Sequence, residues 1–330
     1  MMRCAIQTLL LLLLGSAAAE FPPSHAALLK QRGRLVEHQH HDLKFELFIP
    51  NSWTPNTGPH PVLVFLHGRG ESGGFDVTNA QSLPLQLLNN HSFAATFPFI
   101  VLVPQCPSVC AHVNHWTPKT LQSTTSLMRD WILQPDASSP SIEQSKNLGG
   151  DRSRVFLAGQ SMGGHGAWLY AAQQPRLFAA VVVVCGYAQG SREARTFAER
   201  LSINGGKGVG GGGRGPAVAI YHSEDDSVIP VAASDQMATA LKGAGYEEEG
   251  SAARTPGSAK SGPQLRYVRY KNAPGPPMPE FAHLIGHGSY ELAFRDASLY
   301  SWLLAHPCPK CGTKPPAAWV PLTTESEELR

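Results

Sequence analysis

Ser161 stands at the centre of "RVFLAGQSMGGHGAWLYAAQQP", residues 154–175, in a Gly-x-Ser-x-Gly pattern. A serine hydroxyl is a poor nucleophile at neutral pH. It attacks a carbonyl carbon only beside a base that takes its proton and a third group that orients the base. Candidates for both follow along the chain. The stretch "IYHSEDDSVIPV" holds Asp225 and Asp226, of which Asp226 is the favoured carboxylate and Asp225 the neighbour able to displace it. Further on, "HLIGHGSYELAF" offers His283 and His287, the second just ahead of a helical pattern. Serine, acid and then histidine is the order expected when the nucleophile sits on a strand-turn-helix elbow.

In a chain with 32 glycines the five-residue pattern alone is weak, and its setting gives it weight. A β-branched apolar run precedes Ser161 and a helix-like stretch follows it. Gly159 and Gly163 flank the serine where a Cβ would hold strand and helix apart, and Gly164 and Gly166 ease the approach further. Attack on a carbonyl also develops negative charge on its oxygen, which needs hydrogen-bond donors. One is the backbone N–H of Met162, next after the nucleophile. The second is assigned to the N–H of Arg69 in "FLHGRGESGG", where Gly68 and Gly70 let the backbone turn its amides inward.

Elements able to position these groups recur along the chain. Apolar or alternating runs at residues 43–49, 61–68, 97–105, 154–159, 179–186, 217–223 and 265–270 predict strands. Between them, helix-like stretches are expected at about 119–133, 162–174, 192–202, 231–243 and 289–304. Such alternation predicts a single α/β domain with a mostly parallel sheet flanked by helices. Three Gly/Ser/Pro-rich stretches, at about 135–150, 204–216 and 247–263, read as surface loops, because so little apolar surface cannot offset the entropy of ordering.

The composition is that of a globular protein, with 42% apolar and 16% charged residues. A net charge of +2 argues against a nucleic-acid or polybasic membrane partner. The opening "MMRCAIQTLLLLLLGSAAAE" has the basic start, leucine run and small residues of a secretory leader over residues 1–19, with cleavage expected after Ala19. Its apolar run falls short of the roughly 20 residues that span a bilayer. The mature domain is then expected at residues 20–306, in a secreted or endomembrane compartment, and the Pro-rich 307–330 is expected to be an extended or disordered tail. Removal of Cys4 leaves five cysteines, so at least one thiol stays unpaired; Cys106 with Cys110 and Cys308 with Cys311 are plausible local disulfides.

Taken together, the motifs resemble the α/β-hydrolase superfamily, and within it the phospholipase/carboxylesterase and predicted-peptidase group that includes poly(hydroxyalkanoate)-depolymerase-like esterases. The resemblance runs from about residue 43 to about residue 305. "LHGRGESG" is similar to that group's oxyanion loop, and "DRSRVFLAGQSMGGHGAWLYAAQQPRLFAAVVVVCG" to its elbow region. "YHSEDDSVIPV" is similar to its acid loop, written H-G-x-x-D-x-x-V-P, which implies Asp226 over Asp225; "GHGSYELAF" implies His287 over His283. Ser223 departs from the pattern, standing where the group has glycine. What the resemblance implies is cleavage of a small-molecule or polymer ester through an acyl-enzyme. The alternatives are a prolyl-oligopeptidase-like serine peptidase, which normally carries a covering domain not evident here, and a hydrolase-like binding protein without catalysis.

Other constellations point to no cofactor and no metal. "CPSVCAHVNH" packs two cysteines and two histidines into a loop too short to close a tetrahedron readily, and a disulfide is favoured there over zinc. "EHQHHD", residues 37–42, reads as a solvated turn between strands. "CPKC" lacks the strand and helix of a thioredoxin-type site, and the glycines at 208–213 open no apolar helix that could cradle a phosphate.

Overall fold

In the computed structural model the described residues are 19–20, 22–55, 58–74, 82–134, 147–174, 176–202, 215–250, 263–308 and 311. The seven expected strands all form, and three more join them. In chain order the strands are β1 (Ala19–Glu20), β2 (Leu35–His40), β3 (Leu43–Phe48), β4 (His60–Leu66), β5 (Ile100–Pro104), β6 (Gly150–Gln160), β7 (Ala180–Val184), β8 (Ala217–Ser223), β9 (Glu247–Glu248) and β10 (Gln264–Tyr270). They make one sheet in the order β1-β2-β3-β5-β4-β6-β7-β8-β10-β9. From β5 to β9 every pairing is parallel, whereas β3 runs antiparallel to both β2 and β5. The expected mostly parallel sheet is therefore present, with an antiparallel β2–β3 hairpin along one flank.

The helices are α1 (His25–Gln31), α2 (Ser82–Asn89), α3 (His91–Thr96), α4 (Val109–Val113), α5 (Pro118–Leu127), α6 (Met162–Gln173), α7 (Ser191–Ser202), α8 (Ala232–Gly243), α9 (Ser289–Ala293) and α10 (Ala297–Leu304). Because successive side chains of a strand point to opposite faces, Val62, Val64 and Leu66 of β4 join one core with Met162, Ala167 and Trp168 of α6. Leu63 and Phe65 join the other with Tyr290, Ala293 and Phe294 around α9. The sheet thus separates α6 from α9, and its carboxyl edge is where their ends meet.

Several expectations need correction. Residues 37–40 of "EHQHHD" are strand, and only His41 and Asp42 turn. Ladder pairing of β2 along the whole of β3 overrides its polar composition, and His38 is buried with Nε2 3.1 Å from Gln31 Oε1. The helix expected at 119–133 ends at Leu127 and continues as a π-helical turn, Met128–Ile132. The 289–304 stretch is two helices, since Asp296 accepts from Ser298 N–H and starts α10 afresh. Helices α1 to α4 were not expected, being at most eight residues long and too short for a clear apolar period.

Most of each low-complexity stretch lies outside the described residues, but their ends do not behave as free loops. Asn147 and Leu148 are buried, with the Asn147 amide donating to the Leu133 carbonyl; Glu247 and Glu248 add β9 to the sheet edge. The tail also begins differently from the expectation. Cys308 and Cys311 form a disulfide, the Cys308 N–H donates to Ser153 at 2.7 Å, and Cys311 is buried against the Phe178 carbonyl. The second expected disulfide, Cys106–Cys110, is present, and among the described residues Cys185 is the free, buried thiol. Residues 1–18 of the expected leader lie outside the described residues, and no described helix is long and apolar enough to cross a membrane.

Candidate active site

Four segments converge at the carboxyl edge of the sheet, the end where open α/β sheets bind ligands. They are the loop after β4, the turn after β6, the loop after β8, and the segment 271–288 that leads into α9. Ser161 forms the turn after β6 with φ 52° and ψ −120°, a conformation that L-residues rarely adopt. The flanking glycines are sterically required. A Cβ on Gly163 would meet the Leu66 carbonyl oxygen at 2.0 Å, and one on Gly159 would meet that of Gly163 at 2.1 Å. Although Ser161 precedes α6, its hydroxyl does not cap the helix; it is 3.0 Å from His287 Nε2.

The other ring nitrogen of His287, Nδ1, lies 3.0 Å from Asp226 Oδ2 and 3.2 Å from Oδ1. Asp226 is buried and saturated with donors: the N–H groups of Val228 and Ile229 reach Oδ1 at 2.8 and 2.9 Å, and His222 Nε2 lies 3.1 Å from Oδ2. His222 Nε2 also faces the Ile229 carbonyl at 2.8 Å, so with two acceptors that nitrogen carries the proton. Burial by itself would raise the Asp226 carboxyl, but the hydrogen bonds from His222 and His287, with the Ile229 N–H, hold it well below the usual carboxylate range.

Asp225 and His283, the alternatives in sequence, are placed elsewhere. Asp225 Oδ1 accepts from the Ser223 hydroxyl and, at 3.1 Å, from the Ala273 N–H, tying the acid loop to the segment that carries His287. Ser223, at the position where the group has glycine, donates to the same Asp225 oxygen from within the acid loop. His283 is exposed and bonds within its own turn through its carbonyl.

The loop after β4 starts a 3-10 turn at Arg69–Glu71. Gly68 N–H donates to Glu71 Oε2 at 2.9 Å, while its carbonyl oxygen lies 2.7 Å from His67 Nδ1. A trans peptide points its N–H opposite to its C=O, so fixing the Gly68 carbonyl on His67 turns the next amide, Arg69 N–H, away from that ring. The Arg69 side chain leaves along the wall, with Nε on the Ala111 carbonyl at 2.9 Å. Met162, the first residue of α6, has an N–H with no intrahelical acceptor.

Sequence reasoning gave no role to His67 or His222. Both are fully buried histidines at the ends of apolar strands, and that placement was the available signal. Burial pushes the His67 imidazole down to about 4, so it is neutral at ordinary pH, with Nδ1–H donating to Gly68 and Nε2 accepting the Cys106 N–H at 3.0 Å.

These groups open into a cleft of about 590 Å³. Its lining from residues 68–72, 111–114 and 160 is largely polar; that from 228–229 and 276–284 is Val228, Ile229, Pro276, Phe281 and Leu284. As for metals, Cys185, Asp226 and His287 bring ligand atoms within 4.8 Å of one another. Burial pushes the Cys185 thiol up, away from the thiolate a metal would take, and Asp226 and His287 are already bonded together. Cys106 and Cys110 are spent in their disulfide, which removes their sulfurs from any zinc site.

Comparison with known proteins bears on the family and the fold. The family described as "Putative esterase" matches residues 37–265. Among solved structures, a thermostable esterase superposes with a TM-score of 0.53 at 22% identity, over 83% of this chain and 62% of that one. The chain thus spans less than two thirds of that esterase's length. Esterase 2 of Thermogutta terrifontis, phosphoramylated by tabun, gives a TM-score of 0.48 at 17% identity, over 81% of this chain and 92% of that one. No curated protein sequence matches. With more than half of its length inside one family, the chain belongs to this esterase family, on an α/β-hydrolase fold.

Proposed function

We propose that the protein is a serine esterase that cleaves carboxylic esters through an acyl-enzyme on Ser161. The observation that carries this reading is the continuous chain of hydrogen-bonding distances from Ser161 Oγ to His287 to Asp226. Ser161 Oγ attacks the ester carbonyl as His287 Nε2 takes its proton. The Asp226 carboxylate holds the His287 tautomer and stabilises the imidazolium. The N–H groups of Met162 and Arg69 receive the oxyanion, an assignment supported by the first position of Met162 in α6 and by the anchoring of the Gly68 carbonyl. Collapse of the tetrahedral adduct breaks the bond to the alkoxide, which leaves with the His287 proton. Water then attacks the acyl-Ser161, gives its proton to His287, and releases the acid as Ser161 recovers it.

Ser161→Ala abolishes both hydrolysis of p-nitrophenyl butyrate and labelling by a fluorophosphonate; retained labelling in that variant refutes the assignment. The leader at residues 1–19 supports export of the enzyme, for which the test is N-terminal sequencing of secreted material, expected to begin at Glu20.

A further inference from the structure

We propose that the wall formed by Val228, Ile229, Phe281 and Leu284 is the subsite for the alcohol half of the ester, so that the enzyme selects esters of apolar alcohols. This inference rests on the serine-esterase reading above. The argument begins with the proton. The departing oxygen takes it from His287 Nε2 and so lies within about 3 Å of that atom. Whatever the oxygen is attached to must continue on the side of Ser161 from which His287 is presented. That side is built by the 271–288 segment and the acid loop.

Polar and apolar lining segregate by segment. Arg69, Glu71, Asn114 and Gln160 line the cleft from the loop after β4, the segment after α4 and the end of β6, and among the described lining residues no charged side chain comes from 228–229 or 276–284. The apolar wall is also braced. Gly286 N–H donates to Ala273 at 3.0 Å, Gly288 N–H to Pro274 at 2.8 Å, and the Ser227 N–H and hydroxyl both to the Ile285 carbonyl at 3.0 and 2.9 Å. Phe281 closes across the cleft, its Cε2 3.8 Å from where a Cβ on Gly70 would stand. Val228 of this wall is 44% exposed, so part of its apolar surface faces outward.

The test uses acetate esters of straight-chain alkanols from ethanol to octanol, whose leaving-group acidities are nearly constant, together with choline acetate as a cationic alcohol. The expected result is a rise in kcat/KM on the order of two- to four-fold per added methylene over the first members. Because every acetate gives the same acetyl-enzyme, kcat converges across the series once deacylation limits turnover. Phe281→Ala and Leu284→Ala flatten the alcohol-length slope of kcat/KM, with thermal melts checking that both variants are folded. A flat slope in the parent enzyme, an unchanged slope in both variants, or a preference for choline acetate overturns the subsite. Absence of fluorophosphonate labelling at Ser161 in the parent enzyme would instead overturn the serine-esterase reading on which it rests.

Discussion

His67 Nδ1 lies 2.7 Å from the carbonyl oxygen of Gly68, and this bond sets the direction of the peptide that carries the Arg69 N–H. Replacing His67 frees that peptide without touching Ser161, His287 or Asp226. His67→Ala is expected to lower kcat on the order of 10² to 10³, the range for losing one oxyanion donor, with little change in KM. Since the ring is neutral above about pH 4, the loss should be the same at pH 6 and pH 9. A variant with a normal kcat would show that the loop holds its shape without the ring.

Asp226→Asn is expected to reduce kcat on the order of 10⁴, because the amide no longer holds the productive His287 tautomer. It also has a stability signature. The folded carboxyl is held below its unfolded value, so its contribution is present at neutral pH and is lost as pH falls below the unfolded value near 4. Denaturant titrations should find the variant less stable than the parent at pH 7, with a gap that narrows progressively below about pH 4.

Glu46 of β3 behaves in the opposite sense. It is buried, and burial first, then the Glu37 carboxylate paired with it across the β2–β3 ladder, pushes it up to about 7. The folded state therefore holds this proton where the unfolded chain has lost it. Stability from this group is complete below an ordinary glutamate value near 4.5 and declines as pH rises through 7. Glu46→Gln should stabilise the enzyme by about 1–3 kcal/mol at pH 8 and by almost nothing at pH 4.5, read from denaturant midpoints.

Gly163→Ala and Gly243→Ala separate steric need from propensity. A Cβ at Gly163 collides with the backbone of β4, so this variant is expected to lose more than about 3 kcal/mol and to express poorly. At Gly243, the last residue of α8, a Cβ meets nothing within 4 Å, and alanine should stabilise by about 0.5–1 kcal/mol. Thermal melts of the two purified variants give the comparison.

Much of this protein is legible in its residues because buried parallel strands are written as uninterrupted apolar runs. All seven of the apolar or alternating runs became strands, the alternating 43–49 as antiparallel β3, and Gly159 and Gly163 marked the turn that lifts Ser161 to the sheet edge. Polar stretches misled for the same reason. β2 and β9 are held by ladder pairing with β3 and β10, a long-range interaction that leaves no apolar pattern behind. The short helices α1 to α4 form where capping and packing outweigh a period too brief to detect.

The candidate site divides along the same line. Residue type and order pointed to Ser161, to Asp226 or its neighbour Asp225, to His283 or His287 and to the Arg69 and Met162 amides, and the family resemblance then favoured Asp226 and His287. Only the tertiary structure brought His287 Nε2 within 3.0 Å of Ser161 Oγ across 126 residues, gave Asp226 its support from His222, and set His67 against the Gly68 carbonyl. The reason is physical. A motif records the backbone that one turn needs, whereas the direction of a buried ring and the partition of a cleft into polar and apolar walls depend on segments that meet only when the sheet is assembled.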